Sequence, residues 1–261
     1  MMQQLKDIID VSKHDLRDSA YIAQARDQLN KAGVLCLTGF LKEEALAKMV
    51  EEAERCAPLA YFTKSTHNVY LTPTDEAYES DHVFNRQITS SKGCITTDQV
   101  PADSGLHRIY HDDDFKNFIC AVVGQEALYP YADPLSSINV HYAADGQELG
   151  WHFDNSSFAI TLLLQAPKAG GQFEYVKALR DADAGEMNFD GVADVLDGKS
   201  PVETLDISPG TLVLFRGRNA MHRVTPTIGD RTRYLVVLAY NDAPNIALSE
   251  SARMTFFGRL G

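Results

Sequence analysis

An α+β fold is predicted for this sequence, with a helical N-terminal region packed on a C-terminal double-sheet jelly roll. Three observations predict it. Amphipathic helical patterns fill the first 60 residues, short β-rich runs between turn residues fill the chain from about Ser136, and no crossover helices separate those runs. The 261 residues are 44% hydrophobic and 23% charged, which excludes a disordered chain, a collagen or a disulfide mini-protein. A chain of this length buries a full core without staples.

In chain order, Ser19 is placed to cap a helix through Ala23, Ala25 and Leu29 that stops at Gly33. Gly33 to Thr38 reads as a short apolar strand, and Leu41 to Cys56 as a second helix with Leu46, Met49 and Val50 on one face. Residues 60 to 106 are polar and rich in turn formers, the texture of a lid or binding loop. His111-Asp112-Asp113-Asp114 sets acids at the start of a helix over Phe115 to Val123. Eight strands follow: Ile138 to Tyr142, Gly150 to Phe153, Phe158 to Leu164, Phe173 to Val176, Val202 to Ile207, Thr211 to Phe215, Met221 to Thr225 and Arg233 to Asn241. A polar insert with the turn pairs Asp190-Gly191 and Asp197-Gly198 interrupts them. There is no repeat and no linker. Residues 1–135 form the helical region with the lid, residues 136–261 the jelly-roll core, and the two pack as one domain.

Lys and Arg number 24 against 36 Asp and Glu, a net charge of −12. That speaks against nucleic acid or an anionic membrane as the main partner, since both need a basic surface. A small molecule is the expected partner. Tyr234 to Tyr240 is the longest apolar run near the C-terminus, far short of the roughly 18 residues of a membrane span. Met1 to Asp7 shows no apolar signal core. Cys36, Cys56, Cys94 and Cys120 stand apart with no Cys-x-x-Cys pattern, so free thiols in the cytoplasm are expected.

Two His-x-Asp pairs occur, His111/Asp113 and His152/Asp154. On a strand, residues two apart share a face. The first pair opens an acid-rich helix, where solvation accounts for it. The second lies in Leu149-Gly150-Trp151-His152-Phe153-Asp154, where alternation turns Trp151 and Phe153 one way and His152 and Asp154 the other. Two polar groups on the inner face of a buried sheet need satisfying, and a metal ion does so. His222, in Met221-His222-Arg223-Val224, comes from a strand that an antiparallel jelly roll can fold back beside the first. Two histidines and one carboxylate match the facial triad of non-haem Fe(II) oxygenases, with positions left open. A zinc hydrolase and a non-catalytic binding module are the alternatives on the same residues.

Arg231 and Arg233 open the apolar strand that ends at Tyr240. A guanidinium at a barrel mouth holds a carboxylate through paired, charge-assisted hydrogen bonds. That suits a cosubstrate which chelates a metal at one end and presents a carboxylate at the other, as 2-oxoglutarate does.

The stretches Tyr142…Gly146…Leu149 to Asn155, Pro209 to Phe215, and His222-Arg223-Val224-Thr225-Pro226…Gly229-Asp230-Arg231-Thr232-Arg233 resemble the Fe(II)/2-oxoglutarate-dependent dioxygenase superfamily over residues 136 to 241. The resemblance implies a cupin-like double-stranded β-helix, with His152, Asp154 and His222 binding iron. It implies Arg233 on the distal carboxylate of 2-oxoglutarate, Arg231 as second choice, Tyr142 lining the cosubstrate pocket, and O₂ as oxidant. Gly170 to Val176, Val195 to Gly198, the double-arginine strand and Phe256-Phe257-Gly258-Arg259 further resemble the carrier-free amino-acid halogenase/hydroxylase group. Halogenases of that group have a small residue in place of the metal carboxylate, which makes room for chloride. Asp154 departs from that pattern. The resemblance therefore implies hydroxylation of an unactivated C–H of a small molecule, a free amino acid (lysine-like or other) or a derivative. By the same resemblance Arg86 and Asn155 would contact the substrate.

Overall fold

A single turn, α1 (Leu5–Ile8), precedes the first long helix, α2 (Ser19–Ala32), in a computed structural model that describes residues 4–261. Met1 to Gln3 of the N-terminal heptapeptide lie outside the described residues. Asp18 rather than Ser19 is the α2 cap: its carboxylate accepts the Ala20 N–H at 2.8 Å, and Ser19 becomes the first helical residue. Gly33 ends α2 at φ 74°, a left-handed turn that glycine makes without strain. The chain continues through β1 (Val34–Leu37) into α3 (Glu43–Cys56), β2 (Tyr61–His67) and β3 (Ile88–Ile95). Then come α4 (Gly105–His111) and α5 (Asp113–Val123). Asp112 caps α5 by accepting the Asp114 and Phe115 N–H groups, as the acidic run predicts.

All eight predicted strands form: β4 (Ile138–Ala143), β5 (Leu149–His152), β6 (Ala159–Gln165), β8 (Phe173–Val176), β9 (Glu203–Leu205), β10 (Leu212–Phe215), β11 (Met221–Val224) and β13 (Arg233–Leu238). Two dipeptide strands, β7 (Ala169–Gly170) and β12 (Thr227–Ile228), pair with each other. The major sheet has seven strands in the order β1-β10-β6-β13-β4-β3-β2, and the minor sheet four, β5-β11-β8-β9. Every pairing is antiparallel. The expected jelly roll is what the chain builds.

Helices α1 to α5 cover the outer face of the major sheet. The largest core cluster joins Leu29, Met49, Phe118 and Val122 of the helices to Val140, Tyr142, Leu162 and Val236 of the strands. The N-terminal region and the jelly roll therefore share one core. The outer face of the minor sheet is covered by α6 (Phe189–Leu196) and the loop 68–87, through Tyr70, Val83, Val192 and Val195 packed on Trp151, Phe153 and Met221. The inner faces of the two sheets are left to enclose a cavity.

The structure differs from expectation in three further places. Residues 60–106 are not a structureless lid, because β2 and β3 extend the major sheet and loop 68–87 wraps behind the minor one. These strands carry Thr, Ser and Lys on both faces, with Thr63, Ser65, Ser90 and Lys92 lining the cavity and Lys64 and Thr66 exposed, so no apolar alternation marks them. Asp190 and Gly191 sit inside α6, capped by Asn188, not in a turn. A C-terminal helix, α7 (Glu250–Phe257), capped by Ser249 and ended by Gly258, packs on β2 and β3. Among the described residues no helix is long and apolar enough to cross a membrane.

Candidate metal centre

The register of β5 against β11 sets His222 directly opposite His152, and their rings lie 4.1 Å apart between centroids. Asp154 follows β5 by two residues, where its N–H donates to the Gly217 carbonyl at 3.0 Å. Asp154 Oδ1 lies 3.7 Å from His152 Nε2 and 3.6 Å from His222 Nε2. One donor atom from each of the three side chains falls within 4.8 Å of the others, the single such group among the described residues.

Backbone carbonyls orient both imidazoles. His152 Nδ1 donates to the Gly150 carbonyl at 2.8 Å and His222 Nδ1 to the Ala220 carbonyl at 3.0 Å. A carbonyl only accepts, so the proton sits on Nδ1 and each Nε2 lone pair faces the centre, as metal ligation requires. Burial and the neighbouring His222 hold His152 down to about pKa 3, which keeps its ring neutral. Burial raises the Asp154 carboxyl, but His222, His152 and Lys92 outweigh it and leave the pKa below the ordinary value. Asp154 Oδ2 is buried with no hydrogen-bond partner. An orphaned carboxylate oxygen beside two inward lone pairs fits a divalent cation.

Gly217 forms the wall behind this centre. A β-carbon there would lie 1.9 Å from Asp154 Oδ2 and 2.9 Å from His222 Cε1. Only glycine leaves the carboxylate its place. Gly217 went unnoticed in the sequence, where it reads as an ordinary turn residue.

The centre opens into a cavity of about 310 Å³ between the sheets. Arg233 projects into it from β13 and is 6% exposed, with no carboxylate within ion-pair distance. Burial lowers its pKa to about 10, so it stays a cation at neutral pH. The side chain passes over the Gly170-Gly171 turn, where a β-carbon on Gly171 would come within 3.1 Å of Arg233 Cδ. His141 and Lys92 also face the cavity, with Lys92 Nζ 3.3 Å from His141 Nδ1. On the β2 side, Ser90 accepts the Gly150 N–H at 2.9 Å and bonds His67 Nε2 at 2.7 Å, tying β3 to the strand that carries His152. His67 in turn lies edge-on to the His152 ring.

The profile of the halogenase D family matches residues 17–255. The chain belongs to the halogenase D family. Among curated proteins, none matches it. Among solved structures it is similar to a 2OG-Fe(II) oxygenase family oxidoreductase from Burkholderia pseudomallei, at 14% identity over 87% of this chain and 92% of that one, TM-score 0.56. It is similar also to the non-haem α-ketoglutarate-dependent epimerase SnoN from nogalamycin biosynthesis, at 16% identity over 87% and 85%, TM-score 0.61. A Pseudomonas putida prolyl-4-hydroxylase aligns at 15% identity over 83% and 96%, TM-score 0.51. At such identities the likeness establishes the jelly-roll fold.

In this halogenase D family member the other residues singled out from the sequence lie away from the cavity lining. Arg231 is exposed in the turn before β13 and donates to the Pro167 carbonyl at 3.0 Å, so only Arg233 faces inward. Tyr142 points to the helices, donating to the Ala53 carbonyl at 2.8 Å, and His141 takes the cavity side of β4 in its place. The reason is parity: α3 packs on the face that Val140 and Tyr142 share. Arg86 pairs with Asp197 at 2.6 Å, linking loop 68–87 to the end of α6. Asn155 is exposed in the loop after the metal pair, its carbonyl accepting from Arg218 at 3.1 Å. His67 and Lys92 were missed because each stands in a polar strand, and His141, which alternates with Tyr142, was expected on the face turned away from the cosubstrate. A Lys-x₄₈-His spacing carries no signal until two strands pair.

Proposed function

We propose that the protein is an Fe(II)- and 2-oxoglutarate-dependent oxygenase that hydroxylates a C–H bond of a small molecule. The observation that carries this reading is the pairing, in one cavity, of two inward Nε2 lone pairs and an orphaned carboxylate oxygen with a buried arginine that has no acidic partner. His152, Asp154 and His222 would hold the iron, and Arg233 the distal carboxylate of 2-oxoglutarate. When bound, iron supplies the O₂ chemistry that couples decarboxylation of 2-oxoglutarate to oxidation of the substrate, giving alcohol, succinate and CO₂.

The chain's own groups set the conditions. Gly150 and Ala220 carbonyls accept from Nδ1 of each imidazole and so aim both Nε2 atoms at the centre, so no rearrangement precedes metal binding. Leu235, Val237, Phe173 and Phe215 make the walls apolar and exclude water, which strengthens the pairing of Arg233 with a carboxylate. By the family resemblance, Asp154 stands where halogenases have a small residue that makes room for chloride, which favours oxygen over halogen transfer. The substrate is a small molecule, and by family resemblance an amino acid or a derivative.

Anaerobically purified protein should bind Fe(II), and with 2-oxoglutarate and O₂ it should release succinate. His152→Ala should lower that turnover at least about a thousandfold, in the range seen when a group essential to chemistry is removed. Undiminished turnover in the variant defeats the reading, and zinc in the native protein in place of iron points to hydrolysis instead. Incorporation of ¹⁸O from ¹⁸O₂ into a product carrying one extra oxygen separates hydroxylation from epimerisation or ring closure.

A further inference from the structure

The cavity carries one carboxylate, Asp154, and that group is committed to the metal. Against it stand two cationic side chains, Arg233 and Lys92. A smaller adjoining hollow beneath α7 shares Lys92, His141, Val237 and Phe256 with the main cavity and adds no acid. Asp133 lies near it but is spent on the backbone: its oxygens accept from Leu135 N, Ser136 N, Ser136 Oγ and Leu248 N.

On the proposed function, a ferrous ion, Asp154 and Arg233 together carry two positive charges, which doubly charged 2-oxoglutarate cancels. Lys92 then remains as an unpaired cation. It is half-buried, forms no ion pair, and has the His141 ring as its hydrogen-bond partner. Burial pulls the pKa of its ammonium below the ordinary value. A buried ammonium without a counter-ion is costly, and a ligand anion removes that cost.

Lys92 enters the cavity from a different strand than Arg233. Arg233 pairs with Ala143 on β4, and Gly93, next to Lys92, pairs with Tyr142, so two strand spacings separate the two cations' backbones, about 10 Å. Leu235, Val237 and Phe256 give the cavity that Lys92 enters apolar lining.

We propose that Lys92 is a specificity-determining residue that anchors the substrate's carboxylate, and that the substrate is a net monoanion with an apolar body. Within the amino-acid-like class this selects compounds whose amine is masked or absent. It disfavours a lysine-like substrate, whose second ammonium would find no acid to pair with. The inference rests on the proposed function for its charge count, and its test reads a different quantity.

The test is calorimetric titration of the manganese- and 2-oxoglutarate-loaded protein with hexanoate, hexanamide and hexylamine. Hexanoate should bind at least tenfold tighter than its neutral isostere hexanamide, with hexylamine weakest. Lys92→Met should bring the hexanoate-to-hexanamide ratio close to one, with metal and 2-oxoglutarate affinities and the melting temperature kept. Lys92→Arg, which keeps the charge, should keep the preference. The proposal is overturned if hexylamine binds as well as hexanoate, if the preference survives in Lys92→Met, or if hexanoate displaces 2-oxoglutarate. It is overturned also if Lys92→Met weakens 2-oxoglutarate instead, which makes Lys92 part of the cosubstrate site. Loss of manganese or 2-oxoglutarate binding in the wild-type protein would instead count against the proposed function, so the two failures are told apart.

Discussion

The two ends of the cavity are built differently. At the metal end, the backbone dictates the side chains: carbonyls of Gly150 and Ala220 fix two rings, Gly217 gives its carbonyl to Asp154 N, and its missing side chain makes room for the carboxylate. At the other end, beneath α7, the walls are Val237, Leu248, Phe256 and Phe257, with Phe256 still 47% exposed and Lys92 held by one neutral ring. The contrast teaches that chemistry and selectivity are separable here. Side chains beneath α7 can change without moving a metal ligand, whereas any change at Gly217 reaches the centre through the backbone.

Two expected breaks in that contrast are large and of similar size, and the first is Gly217→Ala. Its methyl group would displace Asp154, and metal affinity should fall about 10- to 100-fold, the usual cost of disturbing a ligand's support. Equilibrium dialysis measures it, and native affinity in this variant would show that the metal end is not so tightly built. Next is Arg233→Gln. Loss of a buried charged hydrogen-bond donor costs about 2–3 kcal/mol, so KM for 2-oxoglutarate should rise roughly 30- to 150-fold while metal content holds. Equal loss of metal would mean that the arginine supports the fold rather than the cosubstrate.

Asp133→Asn tests the substrate end for stability. Burial raises the Asp133 carboxyl, but the Leu248 and Leu135 N–H groups, the Ser136 hydroxyl and Arg253 lower it further, so its folded pKa lies below the ordinary 3.8. A lowered carboxylate contributes stability above its unfolded pKa and loses it as pH falls through the folded value. The substitution should therefore cost about 2 kcal/mol near neutral pH, and the difference from wild type should shrink below pH 3.8. Denaturant melts at pH 7 and pH 3 would read both numbers, and a pH-independent gap would contradict the assignment. The smallest effect is expected for Phe256→Ala: under about 1 kcal/mol of stability, since the ring is half-exposed, with weaker binding of apolar ligands in the same titrations.

Much of the architecture was legible because its signals are local. The alternation Trp151/His152/Phe153/Asp154 declared which residues share a face, and the structure sends Trp151 and Phe153 to the core behind the minor sheet while His152 and Asp154 face the cavity. The eight strands were bounded to within a few residues, although the pair Asp190-Gly191 fell inside α6. The polar strands β2 and β3 were hidden because the alternation that betrays a strand needs one dry face, and neither has it along its length. Tyr142 and His141 were exchanged because both faces of β4 are covered, one by helices and one by the opposite sheet, so its pattern does not reveal which side is the cavity.

By itself, the sequence determined the strand-and-turn texture, the identity of two metal-ligand candidates two residues apart, and the presence of arginines at the start of the last strand. Period-two geometry and turn chemistry act over a few residues and can be read along the chain. Tertiary structure alone decided that His222 faces His152, that Arg233 and not Arg231 turns inward, that Gly217 makes room for Asp154, and that Lys92 stands without an acid. Each depends on which strands pair and in what register, a choice made by contacts between residues as far apart in the chain as Val34 of β1 and Phe215 of β10.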